Sequence, residues 1–487
     1  MTPSRGIQLL GVGWALVSAS GSHAGPPPLT SLDPDYGFDY RLFGRAVAID
    51  GDRIISSGEF FPEPVDLRWV RVFERDAASW SPETSLLASP GPGGPHGSRA
   101  DDFGFALAID GDVAVVGAPE HWVEGDSSTG VVYVYRFPRP QFPIAETLTP
   151  PEGTTVERFG HSVDIKGDTI VVGTPRAYTG EEKILTGAAY VFRRSDVGWH
   201  RVQTLAPPPS FVEAGFGHAV VIDKNVIAVS ALGPTANTAS ESRGSVFVYR
   251  KQGDQWVEEQ QLSTTGHTFD PTFGFALALS ENTLGIGAPT HAEGYNYRGA
   301  VYLYEYDGQQ WALKLRLDKP GASLHAVSYD PYFGKSVALS PEALVVGSTR
   351  DFIDGEFIHH GSTYLFRFDG LGYSVVDVLL LQPDDLEASD VGFSVAVDGA
   401  TAVIGAPAGY QRYWPGKTFV QEIPLIGDAD RDGRTDLTDA PVLVKCLEGP
   451  PPVGIMDGSC LYFDFIRDGD VDLADFAVLQ RNFGASE

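Results

Sequence analysis

A short motif recurs seven times along the chain at nearly constant spacing. Each copy opens on a glycine, usually preceded by Phe, and successive glycines lie 56 to 60 residues apart. The motif glycines are Gly44, Gly104, Gly160, Gly217, Gly274, Gly334 and Gly392. A supersecondary unit repeated at this period cannot bury its apolar surface alone and packs against its neighbours. The repeat therefore predicts a fold of seven similar units.

The second unit shows the pattern that the others share. Residues 103–110 and 113–118 are apolar runs rich in strand-forming residues, and they are joined by Asp110-Gly111-Asp112. Such a triplet between two apolar runs is typical of a hairpin turn. A third run follows at 131–135, and most units then continue through a Trp into a fourth run. Each unit is therefore predicted to form four short strands.

The start of each unit also alternates between small and larger side chains. The small residues are Ala46, Ala106, Ser162, Ala219, Ala276, Ser336 and Ser394. The aliphatic residues that follow them are Val47, Leu107, Val163, Val220, Leu277, Val337 and Val395. This alternation suits first strands that crowd around a common axis.

Seven four-stranded units favour radial closure, because an open stack would leave strand edges exposed. The seventh unit stops after residues 418–420 without a fourth strand, while residues 28–33 resemble the end of the missing one. We therefore predict an all-β fold, a seven-bladed β-propeller over residues 25–424. Its N-terminal strand is expected to complete the last blade.

The paired motifs Phe-Gly and Gly-Ala-Pro, as at 103–104 and 117–119, resemble the FG-GAP repeats of integrin α-subunit propellers and related secreted proteins. The resemblance covers about residues 27–424 and implies a propeller. Several integrin repeats carry an Asp-rich calcium loop after Gly-Ala-Pro. Residues 121–129 and 290–298 lack such a run, so no calcium site is predicted in the propeller. The Asp-Gly-Asp triplets are interpreted as turns.

The N-terminal segment is typical of an export signal. Arg5 precedes a short apolar run at 7–17, and small residues suited to cleavage follow at 17–19 and 22–24. A membrane anchor is the alternative, but the run is too short to span a bilayer. We therefore predict a signal peptide at residues 1–24 and secretion of the mature protein.

Residues 425–487 differ from the repeats and are rich in carboxylates. Aspartates stand at positions 1, 3, 5, 9 and 12 of a calcium-loop pattern that begins at residue 428. Position 6 is glycine, and Arg434 at position 7 offers its carbonyl oxygen. The loop's carboxylates are Asp428, Asp430, Asp432, Asp436 and Asp439. This spacing predicts a calcium site.

A second loop begins at residue 464. Its acidic residues are Asp464, Asp468, Asp470, Asp472 and Asp475, of which Asp470 offers its carbonyl. Ile466 stands at position 3 and cannot ligate, so weaker binding is expected. Apolar residues at helical spacing follow each loop, at 437–447 and 473–482. An acidic solvated tail is the alternative.

Two loop-plus-helix repeats without an entering helix resemble a type I dockerin. The resemblance implies calcium-dependent folding and a cohesin-like partner that tethers the protein. Cys446 and Cys460 are the chain's two cysteines and lie in this module. In an oxidising compartment they predict a disulfide, with two buried free thiols as the alternative.

No sequence motif for a catalytic nucleophile, a metal protease or a phosphate-binding loop is present. The net charge of −29 also argues against nucleic acid as a partner. One variable position directly follows each motif glycine. Its residues are Arg45, Phe105, His161, His218, Phe275, Lys335 and Phe393. They either line the mouth of the channel or reflect variation that the fold tolerates.

Aromatic residues are frequent in the loops expected on the same face as the motif glycines. Those singled out as candidate ligand contacts are Trp122, Tyr295, Tyr297 and Trp414. Aromatic side chains on a rigid rim suit protein hot spots or stacking on sugars, although the loops could also pack on themselves.

Two functions remain open at this point. The first is a non-catalytic recognition or adhesion protein that binds a protein or glycan through the loop face. The second is an extracellular polysaccharide-degrading enzyme, a lyase or glycoside hydrolase, with a dockerin anchor. The enzyme predicts paired carboxylates, or His, Arg and Tyr, converging at the channel. Because no unit looks chemically distinct, the sequence favours recognition without catalysis.

Overall fold

The computed structural model describes most of residues 29–423. The described ranges are 29–32, 40–60, 67–76, 79–88, 101–121, 129–137, 144–151, 156–179, 184–208, 211, 214–233, 244–264, 270–293, 296–320, 332–341, 343–349, 351–353, 356–358, 361–368, 375–381, 390–407 and 416–423. Within these ranges every regular element is a β-strand. No helix among them is long and apolar enough to cross a membrane.

Seven antiparallel sheets form the blades, and each has four strands that lie side by side from the innermost to the outermost. Blade 1 comprises Val47–Asp50, Arg53–Phe60, Leu67–Asp76 and Ser79–Leu87, with Tyr40–Arg41 as an additional strand. Blade 2 comprises Ala106–Asp110, Val113–Ala118, Val131–Arg136 and Ile144–Leu148. Blade 3 comprises Ser162–Lys166, Thr169–Thr174, Ala188–Ser195 and Gly198–Leu205. Blade 4 comprises Val220–Asp223, Val226–Ala231, Ser245–Gln252 and Gln255–Ser263.

The remaining blades follow the same order. Blade 5 comprises Ala276–Ser280, Thr283–Ala288, Ala300–Tyr306 and Trp311–Asp318. Blade 6 comprises Phe333–Leu339, Ala343–Ser348, Ser362–Phe368 and Val375–Leu381. Blade 7 comprises Ser394–Asp398, Thr401–Ala406, Lys417–Glu422 and the N-terminal strand Thr30–Leu32.

The loops of three blades contain additional short strands. In blade 3 they are Val156–Glu157, Arg176–Thr179 and Ile184–Leu185. In blade 5 they are Ala292–Glu293 and Asn296–Tyr297, and in blade 6 they are Asp351–Ile353 and Glu356–Ile358.

The blades close into a ring. Each innermost strand contacts the innermost strands of both neighbouring blades, and the strands of blades 7 and 1 contact each other in the same way. The last blade is completed by the N-terminal strand, in which Thr30 pairs with Val420 and Leu32 with Thr418. The predicted seven-bladed ring with an N-terminal closing strand is therefore confirmed.

The core lies between blades. One apolar cluster occupies each of the seven junctions, including the junction of blade 7 with blade 1. The residue before each motif glycine is central to these clusters, since Phe43, Phe159, Phe273 and Val391 are all fully buried. Burial of a Phe side chain contributes roughly 1.5–3 kcal/mol.

Backbone contacts between glycines explain why the Phe-Gly and Gly-Ala-Pro motifs occur together. A Cβ on Gly117 would lie 2.1 Å from the carbonyl oxygen of Gly160 in the next blade. A Cβ on Gly130, which precedes the third strand, would lie 2.2 Å from the carbonyl oxygen of Phe159. The two glycines of blade 2 therefore contact the Phe-Gly pair of blade 3 directly, and side chains at these two positions would push the two blades apart.

Two other contacts repeat between blades. At the hairpin end, the Asp that opens one blade's turn accepts the N–H of a glycine in the neighbouring blade's turn. Asp50 accepts the N–H of Gly111 (2.7 Å), and Asp398, which opens an Asp-Gly-Ala turn, accepts that of Gly51 (2.6 Å). At the outer strands, the Gln260 amide donates to the carbonyl of Trp311 (2.9 Å) and accepts its N–H (2.8 Å). The turns occur as predicted, but their first carboxylates also join blades.

Candidate ligand-binding site at the mouth of the channel

A tight turn places one side chain of every blade at the mouth of the central channel. In blade 2 the N–H of Phe105 donates to the carbonyl of Asp102 (3.0 Å), and Gly104 between them has a φ of 81°. A glycine with positive φ at the third position of such a turn is typical of type II. The same hydrogen bond occurs in all seven blades, before the first strand in six of them and at the start of the first strand in blade 6. The motif glycine is therefore needed for the turn.

The seven side chains after the motif glycines form what we call the axial belt. Its members are Arg45, Phe105, His161, His218, Phe275, Lys335 and Phe393, and all are partly exposed. The rings of Phe105, His161, His218 and Phe275 follow one another with centroid separations of 4.9, 5.0 and 5.0 Å. The structure therefore favours the first of the two sequence interpretations, that these residues line the channel.

The belt rings are tilted against one another. The tilts between neighbouring rings are 46°, 47° and 51°, close to one seventh of a turn, as expected for equivalent side chains on successive blades. The four rings therefore pack side by side in tilted pairs around the channel mouth.

Cations occupy two other belt positions and pack on ring faces in the same manner. The Arg45 guanidinium lies 4.8 Å from the centroid of the Phe105 ring, and the Lys335 ammonium lies 4.0 Å from that of Phe393. Cation–π contacts of this kind stabilise by about 0.5–2 kcal/mol, depending on exposure. The belt is therefore a continuous packed layer over most of its circumference.

The two belt histidines are uncharged near neutral pH. Burial, with a smaller contribution from the nearby Arg158, lowers the pKa of His161 to about 4 against the opposing effect of the hydrogen bond to the His218 carbonyl. Burial also lowers the pKa of His218 to about 3, with a contribution from His161. Neither imidazole is therefore suited to general acid–base catalysis near pH 7, which needs a pKa close to the working pH.

The junction of blades 1 and 2 differs chemically from the others. Arg68 stands where blades 2 to 7 have glycine before the third strand, and its guanidinium lies 2.8 Å from the carboxylate of Asp102. Arg45 binds the same carboxylate through both terminal nitrogens, at 3.2 and 3.4 Å. The expectation that no blade is chemically distinct is therefore wrong. The chemical difference is confined to one position, that of Arg68. It becomes visible only when the third strands of the blades are aligned by their register.

A buried polar cluster in blade 5 was also missed from the sequence. The Asp270 carboxylate lies 2.8 Å from His291 Nδ1, and the hydroxyl of Tyr302 lies 3.1 Å from the same nitrogen. In blade 2, His121 lies 3.6 Å from Asp101 and edge-on to Tyr133. The second and fifth units both have a His two residues after Gly-Ala-Pro, and this shared position was the sequence signal for the two clusters. The carbonyl of each His accepts an N–H from the residue before the third strand, so each His anchors its loop.

Most of the sequence-predicted site residues lie outside the described ranges. These are Trp122, Tyr295, Trp414, both calcium loops and both cysteines. Tyr297 lies in the short strand Asn296–Tyr297 of blade 5, on the loop between its second and third strands. Within the described ranges, no group of three or more His, Cys, Asp or Glu residues is placed to hold a metal ion.

Comparison with known proteins supports the repeat. The family "FG-GAP repeat" matches residues 80–135 and 145–192. No curated protein matches the chain. Among solved structures, the β-propeller domain of the Trilobed protease from Pyrococcus furiosus is 7% identical, with 83% of this chain and 98% of that one covered and a TM-score of 0.41.

Two further structures show similar values. Sqt1 from Chaetomium thermophilum, bound to the N-terminus of the ribosomal protein L10, is 15% identical over 82% of this chain and 99% of that one, with a TM-score of 0.42. Pyrococcus horikoshii acylaminoacyl peptidase is 7% identical over 81% of this chain and 51% of that one, with a TM-score of 0.43. The strand order, rather than these similarities, defines the fold. The molecule is a seven-bladed β-propeller that contains FG-GAP repeats.

Proposed function

We propose that the protein is a secreted, non-catalytic recognition protein that binds a protein or glycan ligand at the mouth of its propeller. One observation carries the proposal. The backbone contacts that join the blades are nearly constant, whereas the belt residues at the mouth differ from blade to blade. Variable side chains on a rigid scaffold are the usual arrangement of a binding surface.

The chemistry of the mouth supports binding over turnover. The belt contains no carboxylate, and its histidines are neutral near pH 7. Asp102, the carboxylate nearest to Arg45, is paired with two guanidinium groups. A two-carboxylate glycosidase mechanism needs one carboxylic acid and one carboxylate on opposite sides of the scissile bond. The belt offers no such pair, so polysaccharide cleavage is the weaker proposal.

The C-terminal segment completes the proposal. Residues 425–487 are proposed to form a dockerin-like module that binds calcium through Asp428, Asp430, Asp432, Asp436 and Asp439, and more weakly through the second loop. Its proposed partner is a cohesin-like domain that tethers the propeller outside the cell. The support is the ligand spacing of a calcium loop, with glycine at the sharp turn.

The ligand proposal is tested with the full secreted chain on panels of extracellular polysaccharides and proteins. A ligand of the mouth should bind wild type and lose at least about tenfold affinity in Lys335→Ala, since a packed charged contact contributes about 1.4 kcal/mol or more. Lys224→Ala is the matched control. Lys224 is an exposed lysine in the turn between the first two strands of blade 4, at the end of the blade opposite the belt. Equal binding by both variants, or cleavage of any polysaccharide by wild type, would contradict the proposal.

The tail is tested by calorimetric titration with calcium. Asp428→Ala should abolish the tighter binding event, because it removes the ligand at position 1 of the complete loop. Ile466→Asp should strengthen the second event by restoring position 3. If both titrations match wild type, the ligand assignment is wrong, and the mouth's proposed role is unaffected.

A further inference from the structure

A groove opens between blades 2 and 3 near their outer strands, at the hairpin end of the ring. Its volume is about 410 Å³, which is in the range of pockets that hold small ligands, roughly 300–1,000 Å³. Its apolar lining includes Val134 and Trp199. Its charged lining residues are Arg136, Arg194, Glu146 and Asp196. The groove therefore combines an aromatic ring with groups of both charges.

The junction of blades 4 and 5 shows what fills the equivalent place. There the Arg250 guanidinium donates to both oxygens of the Glu259 carboxylate, at 2.6 and 2.9 Å. The same carboxylate accepts the indole N–H of Trp311 at 3.1 Å, and the guanidinium lies 4.0 Å from the centroid of the Tyr306 ring. A carboxylate held between a guanidinium and an indole therefore closes that junction.

Arg136 is the counterpart of Arg250 in blade 2. Each lies directly before the third-strand residue whose N–H donates to the turn between the first two strands. In both blades the facing fourth strand contains one bulged residue, which is Glu259 in blade 4 and Ala145 in blade 2. Alanine has no carboxylate, so blade 2 lacks the bulge partner that Arg250 has. Arg136 bonds instead to Asp112 (3.0 Å) in an exposed pair of the kind that contributes little to stability.

Trp199 is the counterpart of Trp311. Each donates its backbone N–H to a side chain on the fourth strand of the preceding blade. Trp199 is only partly buried, whereas Trp311 is 2% exposed. Arg194 stands opposite Trp199 at the position that Tyr306 has opposite Trp311, so a second guanidinium replaces the tyrosine ring. The groove thus retains the arginine and the indole of the closed junction and lacks the carboxylate between them.

We propose that this groove binds a hexuronate residue of an acidic polysaccharide, with the sugar carboxylate in the place that Glu259 fills in blade 4. Arg136 binds the carboxylate, because a planar guanidinium matches its two oxygens. Arg194 adds a second positive charge beside it. The C–H face of the sugar ring packs on the partly exposed indole of Trp199, since such sites combine aromatic walls with a few polar groups.

The two acidic groups of the groove favour a sugar over an acidic peptide. Both oxygens of Glu146 accept the Trp199 N–H, at 2.9 and 2.8 Å, which uses only part of the carboxylate's accepting capacity. Sugar hydroxyls donate to such groups, whereas an acidic side chain brings only another negative charge. The groove lies at the end of the blades opposite the belt, so the inference is independent of the recognition proposed at the mouth.

The experiment is a calorimetric titration of the full chain with oligosaccharides of galacturonate, glucuronate and mannuronate, with their carboxyl-reduced forms, and with oligoglutamate. Wild type should bind at least one of the uronates and should bind its reduced form at least about tenfold more weakly. Arg136→Gln should weaken uronate binding by a similar factor, because it removes charge-assisted hydrogen bonds. Arg193→Gln is the matched control, since Arg193 is the aligned arginine of blade 3 and pairs with Asp254 (2.9 Å); it should bind as wild type does.

Three outcomes of this titration would overturn the proposal. They are the absence of binding to any of the uronates, equal binding by wild type and Arg136→Gln, and tighter binding of oligoglutamate than of every uronate.

A second variant tests the position of the carboxylate and does not depend on weakening the fold. Ala145→Glu puts a carboxylate at the bulge of blade 2, where it can occupy Arg136 as Glu259 occupies Arg250. Uronate binding should then fall by at least about tenfold, while the melting temperature should not fall. Binding as tight as that of wild type would refute the site.

Discussion

Gly405 offers the sharpest test of how the ring closes. It lies in the second strand of blade 7, and a Cβ there would be 2.0 Å from the carbonyl oxygen of Gly44 in blade 1. Gly405→Ala must therefore separate the first and last blades by more than an ångström. Overpacking of this kind costs about 1–3 kcal/mol. The separation also weakens the Ser394 hydroxyl bond to the Gly44 carbonyl (2.8 Å), which adds about 0.5–1.5 kcal/mol.

Differential scanning calorimetry measures the result. A loss of about 2–4 kcal/mol lowers the melting temperature of a domain of this size by about 3–5 °C. Gly285→Ala is the control, because its Cβ would meet only side-chain atoms, at 3.3 Å or more. Gly117→Ala, which faces Gly160 at 2.1 Å, should match Gly405→Ala if closure uses the same contact as an internal junction. A Gly405→Ala protein that melts with the Gly285→Ala control would refute the steric argument.

Three further outcomes are expected from other parts of the ring. Leu32→Ala should destabilise the protein by about 2 kcal/mol in denaturant titration, because Leu32 is the buried residue of the closing strand; no loss would mean that the strand does not hold the ring. Ser336→Ala should cost about 1 kcal/mol, since its hydroxyl donates to the Gly392 carbonyl of the next blade at 2.7 Å, and an unchanged melting temperature would count against that bond. Burial raises the pKa of Asp164 to about 7, so the folded protein keeps a proton that the unfolded chain has already lost above about pH 4. Stability should therefore fall by about 1–2 kcal/mol as pH rises from 5 to 8, and Asp164→Asn should flatten that dependence; a parallel pH profile for the two proteins would contradict it.

The fold could be predicted from the sequence because its determinants repeat. Seven motif glycines at nearly equal spacing fix the number of blades, and the missing fourth strand of the last unit points to the N-terminus. The hairpin at Asp110-Gly111-Asp112 is a local structure, and its register, with Asp110 opposite Val113, follows from the turn. Local patterns repeated in register are the kind of information that a single sequence carries well.

The contacts between blades could not be predicted in the same way. Nothing local indicates that the Asp50 carboxylate accepts the N–H of Gly111, because the two residues are in different blades and meet only after the ring has formed. The same holds for the belt. The variable positions were visible in the aligned repeats, but whether His161 stacks on His218 depends on the radius and tilt of the innermost strands.

The innermost layer also explains why some repeat positions vary together. In blade 3 a Cβ on Gly173 would lie 2.2 Å from the Ser162 hydroxyl, and in blade 6 a Cβ on Gly347 would lie 2.3 Å from that of Ser336. A first-strand Ser therefore requires Gly opposite it in the second strand.

Blades 1 and 4 use the reverse arrangement. There the second-strand residues are Ser57 and Ser230, and their hydroxyls accept the N–H groups of Ala46 (3.0 Å) and Ala219 (2.9 Å) in the first strand. In these four blades only one of the two facing positions, in the first or in the second strand, carries a hydroxyl. The residues at the two positions therefore constrain each other. The belt residues directly precede these first-strand positions in the sequence. They lie at the channel mouth and are not subject to the same packing constraint. Side-chain identity is therefore free to change at the mouth without disturbing closure, which is the physical basis of the proposal that recognition takes place there.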